Sequence, residues 1–344
     1  MDAIQIKSLE PGANEAWDEY VHHHPDASFY HLSGWKTVIE RSFHHHPVYL
    51  YAASNSKIVG LFPLFHIKSL LFGSFLISLP FLNYGGILAD DNEIENLLLA
   101  DAIKTAQNLK ADFIELRHTT AKHLNLMNKQ HKISMFLELP NDPDILWKNL
   151  DAKVRNQVRK GEKNNLTIEH GSIEKLDDFY AVFSINMRDL GTPVYSKRFF
   201  RTILEKFDGS KIFVAYSEEK PIASAMVMGL KNRLEIPWAS SLREYNHFCA
   251  NMFMYWHILK YACESGHSIF DFGRCTPEEN TFRFKKQWGA QPVQLNWQYW
   301  IANGNPLPEI NPNNPKYRKA IKIWQKLPVG VANLIGPQIV KYIP

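Results

Sequence analysis

Cysteine is scarce in this 344-residue chain: Cys249, Cys263 and Cys275 are all it has, and no two form a C-x-x-C pair. An odd count without that spacing argues against a disulfide framework and a cysteine zinc site, and reduced thiols fit the cytoplasm. An excess of one charge is lacking too. The 39 Lys and Arg stand against 35 Asp and Glu, and the net +4 is too mild to mark a nucleic-acid binder by itself. No G-x-S-x-G, Walker A or G-x-G-x-x-G pattern is present. Hydrolase, NTPase and dinucleotide readings therefore lose their main support. The opening MDAIQIKSLEPGANEAW has no basic stretch followed by an apolar one, so no secretory signal is expected. An uninterrupted membrane-length run is also missing. Leu70 to Leu88 approaches the ~20 residues a bilayer needs. Gly73, Pro80, Asn83, Gly85 and Gly86 break it up, which predicts buried strands joined by turns.

What the chain does have is an ordinary globular composition, 45% hydrophobic and 22% charged. Its length suits two domains or one large one. Residues 47–66 read as two strands around a polar turn at Asn55–Ser56. Leu97, Leu98, Ala102, Ile103 and Ala106 predict a helix over 92–109, and FIELR a strand at 113–117. Pro140 and Pro143 mark a boundary. The second half predicts helices at 144–164, 177–190 and 196–207, then a three-strand meander over 211–241. A helix at 248–265 ends at Gly266, and a strand follows at Ile269–Phe272. The halves echo each other. AQNLKADFIELR ends at Arg117 and ACESGHSIFDFGR at Arg274, each with an acid shortly before the Arg (Glu115, Asp271). The expectation is a mixed α/β (α+β) fold of two similar domains, 1–143 and 144–310, with a tail at 311–344.

That tail holds Lys316, Arg318, Lys319, Lys322, Lys326 and Lys341 and no acid, leaving the rest of the chain near −2. Tyr317, Ile321, Trp324 and Leu327 lie at helical spacing opposite the charges. Two readings stand: a terminal helix docked on its own domain with a solvated basic face, or peripheral contact with anionic lipid head groups.

Several segments could carry chemistry. HHHP occurs at His22–Pro25 and again at His44–Pro47, but neither cluster has the spacing or partners of a metal site, so turn or helix-end contacts are expected. KVRNQVRKGEK (153–163) puts Arg155 and Arg159 on one helical face, where they could grip phosphate oxygens or simply face solvent. In FDFGRCTPEENTFRFKKQWG (270–289), Asp271, Gly273 and Arg274 fall at a strand's carboxyl end and Phe284–Lys285 on a short helix. That is a place where ligands bind in α/β sheets, and a Lys there could stabilise an oxyanion. A surface salt bridge at Asp271 is the plainer alternative.

These blocks, with FYHLSGWKTVIERSFHH (29–45), SLPFLNYGGIL (78–88), MRDLGTPVYSKRFF (187–200), NMFMYW (251–256) and LPVGVANLIGP (327–337), resemble the FemAB-like acyltransferases. Those enzymes have tandem domains related to the GNAT N-acetyltransferases. The likeness is greatest to the branch associated with exosortase/PEP-CTERM and exopolysaccharide gene clusters. The resemblance implies tandem GNAT-like domains and transfer of an acyl or aminoacyl group to an amine. It implies no tightly bound cofactor; the donor would be acyl-CoA, acyl carrier protein or aminoacyl-tRNA. The acceptor would be a small-molecule or lipid-linked glycan or peptide of the cell envelope. Lys36, Arg155 and Arg159 are then expected at substrate phosphates, Tyr84 at substrate, and Phe284–Lys285 at the pair whose Lys steadies the oxyanion. Asp189 and Asp271 are weak candidates for a base. A cytoplasmic protein, with or without contact at the inner membrane, is expected. The rival reading is a non-catalytic module that binds a polysaccharide precursor or partner at the membrane face.

Overall fold

The computed structural model describes residues 4–69, 73–302 and 315–343. Of these, 4–133, 294–302 and 341–343 form one compact unit, and 134–293 with 315–340 form another.

The first unit is built on a mixed sheet. Its strands are β1 (Gln5–Ser8), β2 (His46–Ser54), β3 (Lys57–Ser69), β4 (Gly73–Ile77), β5 (Leu88–Ala89), β6 (Phe113–His118) and β7 (Met127–Lys129). One further strand, Asn296–Ile301, comes from far down the chain and lies between β6 and β7. The expected β2–β3 hairpin turns at Asn55 and Ser56, both at positive φ, as a two-residue turn requires. β4 and β6 pair in parallel, which needs a crossover. The helix Asn92–Asn108 supplies it, capped by Asp91, whose carboxylate accepts from the Ile94 N–H at 2.9 Å. Ile94, Leu98, Ala102 and Ala106 face the sheet and pack with Phe62, Leu64, Leu76 and Ile114.

The second unit repeats this plan with β8 (Ile133–Glu138), β9 (Leu166–Gly171), β10 (Lys211–Ser217), β11 (Lys220–Leu230), β12 (Arg233–Ser241), β13 (Ile269–Cys275) and β14 (Gln291–Gln294). The order is β14-β8-β13-β12-β11-β10-β9. The meander β10–β12 is antiparallel, as expected. β13 pairs in parallel with β12 after the crossover helix Ala250–Glu264. The echo between the halves thus falls on equivalent elements: β6 and β13 each follow a crossover helix and pair in parallel.

The last strand, Asn296–Ile301, is β15. It was expected in the domain 144–310 but joins the first sheet, whereas β8 joins the second. Local punctuation at Pro140–Pro143 marks only a loop before a helix. Which sheet a strand joins is set by distant hydrogen bonding, which a proline does not encode. The helix expected at 144–164 is two, Pro143–Asn149 and Ala152–Lys163, because Asp142 and Asp151 each cap a new start. The helices Pro315–Trp324 and Val329–Val340 belong to the second unit. Arg188 Nη1 donates to the Leu327 carbonyl at 2.9 Å, and a Cβ on Gly336 would come within 2.9 Å of the Val194 nitrogen. Tyr317, expected on the apolar face of the tail helix, has a side chain outside the described residues. Among the described residues no helix is long and apolar enough to cross a membrane.

Candidate functional site

In the second unit β12 runs to Ser241 and β13 to Cys275, yet they pair only over Arg233–Glu235 and Ile269–Asp271. Past that point each strand continues without the other. Backbone groups on parting strands must find partners elsewhere, which makes such an opening a natural place for a ligand. Glu235 and Asp271 face each other at the last paired rung, and both are buried. Asp271 Oδ1 accepts from Ser134 Oγ and from the Gly273 N–H, each at 2.8 Å. Gly273 turns the strand through φ +73°, a conformation open to glycine at little cost.

The short helix Asn280–Lys286 then brings in Lys285, only 8% exposed. Its Nζ donates to the carbonyls of Gly273 at 2.8 Å and Arg274 at 2.9 Å. An ammonium has three protons, so one is left to aim at a ligand. Burial lowers the Lys285 pKa from the ordinary lysine value, while its electrostatic interactions with Cys275, Asp271 and Glu235 work against that fall. Two opposed carboxylates repel, and both favour the positive charge of Lys285. The structure therefore gathers Lys285, Asp271 and Arg274, the last through its carbonyl. Phe284 is half-buried beside them, its ring edge-on to Tyr255 at 4.9 Å.

The basic helix behaves differently from expectation. Arg155 Nη1 donates to the carbonyls of Trp147 at 3.4 Å and Lys148 at 3.1 Å, and to that of Leu150. It thereby closes the end of the helix Pro143–Asn149. Arg159 lies 5.5 Å over the Trp147 ring. The two arginines thus differ: the chain's own carbonyls take up Arg155, while Arg159 stays exposed over the indole. Lys153, Lys160, Lys163 and Lys286 are exposed, and two of these cations, Lys153 and Lys286, face a common hollow. The hollow is ≈ 480 Å³ and is lined as well by Asn149, Asp151, Trp288 and Gly289. Trp288 is buried and its indole N–H has no partner. Sequence reasoning missed this hollow; its cations come from two basic segments far apart in the chain, 153–163 and 283–286, and the sequence does not say which of their lysines meet.

The remaining candidates have local duties. Lys36 Nζ donates to the Leu9 carbonyl at 3.1 Å in the first unit. Tyr84 is buried edge-on to Tyr30 at 5.6 Å and lines a small recess with Asp26, Arg117, His118 and Lys122. Asp189 pairs with Arg188 at 2.6 Å, and its carbonyl accepts from Arg243 and Gln325. His22 and His23 donate to carbonyls one turn back, and His44 ends its helix at φ +60°. Beside Tyr84 lie two groups with no sequence signal. His118 Nε2 accepts from the Ile87 N–H at 3.0 Å while Nδ1 meets Gln298 Oε1 at 3.1 Å, which fixes a neutral ring. His31 Nδ1 likewise accepts from the Ser28 N–H at 3.1 Å. Burial lowers both pKa values to about 3.

Residues 148–286 match the family model of an acetyltransferase (GNAT) domain, which takes in Asp271, Lys285, Lys153 and Lys286. No curated protein sequence matches the chain. Among solved structures, FemX superposes with a TM-score of 0.66 at 16% identity, covering 87% of this chain and 98% of that one. A tandem GNAT protein from the clavulanic acid biosynthesis pathway gives 0.52 at 11%, covering 88% and 99%. The C-terminal domain of a putative lysylphosphatidylglycerol synthetase from Agrobacterium fabrum gives 0.57 at 13%, covering 84% and 92%. The chain has a tandem GNAT-like fold of two mixed sheets, and residues 148–286 in its second half match the GNAT acetyltransferase domain.

Proposed function

We propose that the protein is an N-acyltransferase whose reaction occurs where β12 and β13 part. An acceptor amine attacks the carbonyl carbon of a thioester or ester donor. The C–N bond forms, the carbonyl oxygen takes up negative charge, and the C–S or C–O bond then breaks. The thiol or hydroxyl leaves, and the amine gives its proton to the leaving group or to water. The third proton of the Lys285 ammonium meets the transient oxyanion. The Gly273 and Arg274 carbonyls aim it beforehand, and Asp271 holds the Gly273 turn. The hollow with Lys153 and Lys286 takes the phosphate-bearing end of the donor, whether acyl-CoA, an acyl carrier protein's phosphopantetheine or aminoacyl-tRNA. The acceptor is an amine on a glycan or peptide precursor of the cell envelope, with the exopolysaccharide branch of the FemAB-like enzymes as the nearest guide.

The observation that carries this reading is a buried lysine fixed by two carbonyls at the opening of two parallel strands, inside the segment that matches the GNAT domain. The test offers the purified protein each radiolabelled donor in turn with an amino sugar or a peptide amine. Label moving to the amine from one donor, with loss of transfer in Lys285→Ala, supports the reading. Binding of acceptor without transfer from any donor supports the rival binding module instead.

A further inference from the structure

Surface helices normally turn their large apolar side chains inward. The helix Val329–Val340 does the reverse. Its buried positions are Ala332, Gly336 and Val340. Its exposed positions include Val331, Leu334, Ile335 and Ile339, spaced to share one stripe, and Leu334 is 75% exposed. The sequence VGVANLIGPQIV carries no charge. Scattered exposed apolar residues are unremarkable, but a contiguous stripe of them marks a contact surface. The preceding helix, Pro315–Trp324, adds Ile323 at 66% exposure. Around it Arg318, Lys319, Lys322 and, just beyond, Lys326 are exposed, and no acid occurs in 311–344.

The geometry points to these two helices as a docking surface for an anionic lipid bilayer. Apolar side chains of such a helix sink below the head groups, and lysines beside them meet the lipid phosphates. A second copy of this chain fits less well. A symmetric contact would bring the same patch from each copy together, setting four exposed cations against four with no acid between them. The small inward residues give the stripe its outward facing: Gly336 lies so close to Val194 that the helix is seated by its narrow side. This surface is independent of the proposed transfer reaction, since Lys285 and the hollow lie on other elements of the unit.

Flotation of the full chain with lipid vesicles tests it. Vesicles containing phosphatidylglycerol are expected to carry the protein upward, and pure phosphatidylcholine vesicles to leave it behind. Leu334→Glu, and separately Lys319→Glu with Lys322→Glu, are expected to reduce binding about tenfold or more. Added salt should release the wild type. Ile335→Gln is a milder second variant, and thermal melting confirms that each variant is folded. Equal flotation with neutral vesicles, or undiminished binding by Leu334→Glu, overturns the proposal. So does a wild-type dimer that Leu334→Glu converts to monomer without any vesicle binding.

Discussion

Glu235 and Asp271 stand opposite each other at the last paired rung between β12 and β13, both out of water, with the Lys285 ammonium close enough to feel both charges. Removing either negative charge makes the ammonium harder to keep. Glu235→Gln should therefore lower the Lys285 pKa further. The high-pH fall in kcat/KM should move to lower pH than in the wild type. A pH–rate profile decides it; a limb that stays put or moves up shows that Lys285 is not the titrating group.

The wild-type limb itself has a defined direction. Burial lowers the Lys285 pKa, so the ammonium is lost below the ordinary lysine value of 10.5. Activity that needs the ammonium then falls as pH rises, and the fall begins before pH 10.5 is reached. Stability runs the other way, because the unfolded chain holds the proton to higher pH. The penalty for the buried charge is present below the folded pKa and is relieved as pH rises through the window up to 10.5. Lys285→Arg, which keeps its charge at all these pH values, should lose the alkaline limb.

Arg155 separates structure from ligand binding. Its Nη1 closes the end of the helix Pro143–Asn149, so Arg155→Ala should cost about 1–2 kcal/mol of stability through lost charged hydrogen bonds. Donor KM should hardly change. By contrast, Lys153→Ala with Lys286→Ala should raise donor KM about tenfold with little effect on melting. Denaturant melts and steady-state kinetics give both numbers. A tenfold rise in KM for Arg155→Ala with unchanged stability would reverse the two roles.

The buried histidines of the first unit predict acid sensitivity. His31 and His118 stay neutral in the fold, with pKa values near 3 against 6.5 in the unfolded chain. The unfolded chain therefore binds more protons between those values, and stability is lost as pH falls below 6.5. The melting temperature should decline from pH 7 to pH 5. Nitrogen NMR of the imidazoles at pH 5 should show His118 neutral with its proton on Nδ1. An imidazolium there contradicts the hydrogen bonds to Ile87 and Gln298.

Much of this was legible in the sequence, for reasons that can be named. The helix Asn92–Asn108 showed itself by periodicity, because one face is buried; the meander β10–β12 showed itself by short, largely apolar runs between turns, with β10 and β11 buried on both faces. The turn at Asn55–Ser56 showed itself by turn chemistry. The Asp271–Arg274–Lys285 group was legible because a strand end, a glycine and a short basic helix are local features. The exchange of β8 and β15 was not, since strand partnership is non-local. Arg155 misled for a related reason: an arginine suits phosphate and helix-end carbonyls equally well, and only the neighbouring helix, broken at Leu150–Asp151, decides between them. The buried histidines gave no signal because their partners are backbone N–H groups, at Ile87 and Ser28, or distant in sequence, as Gln298 is from His118.

The most direct measurement is label transfer to an amine by wild type and by Lys285→Ala, both shown to be folded by their melting curves. Transfer from one of the three donors by the wild type, falling about 10²–10³-fold in the variant, is the expected result. Wild-type transfer rates in folded Lys285→Ala, or no transfer from any donor by the wild type, contradict the assignment.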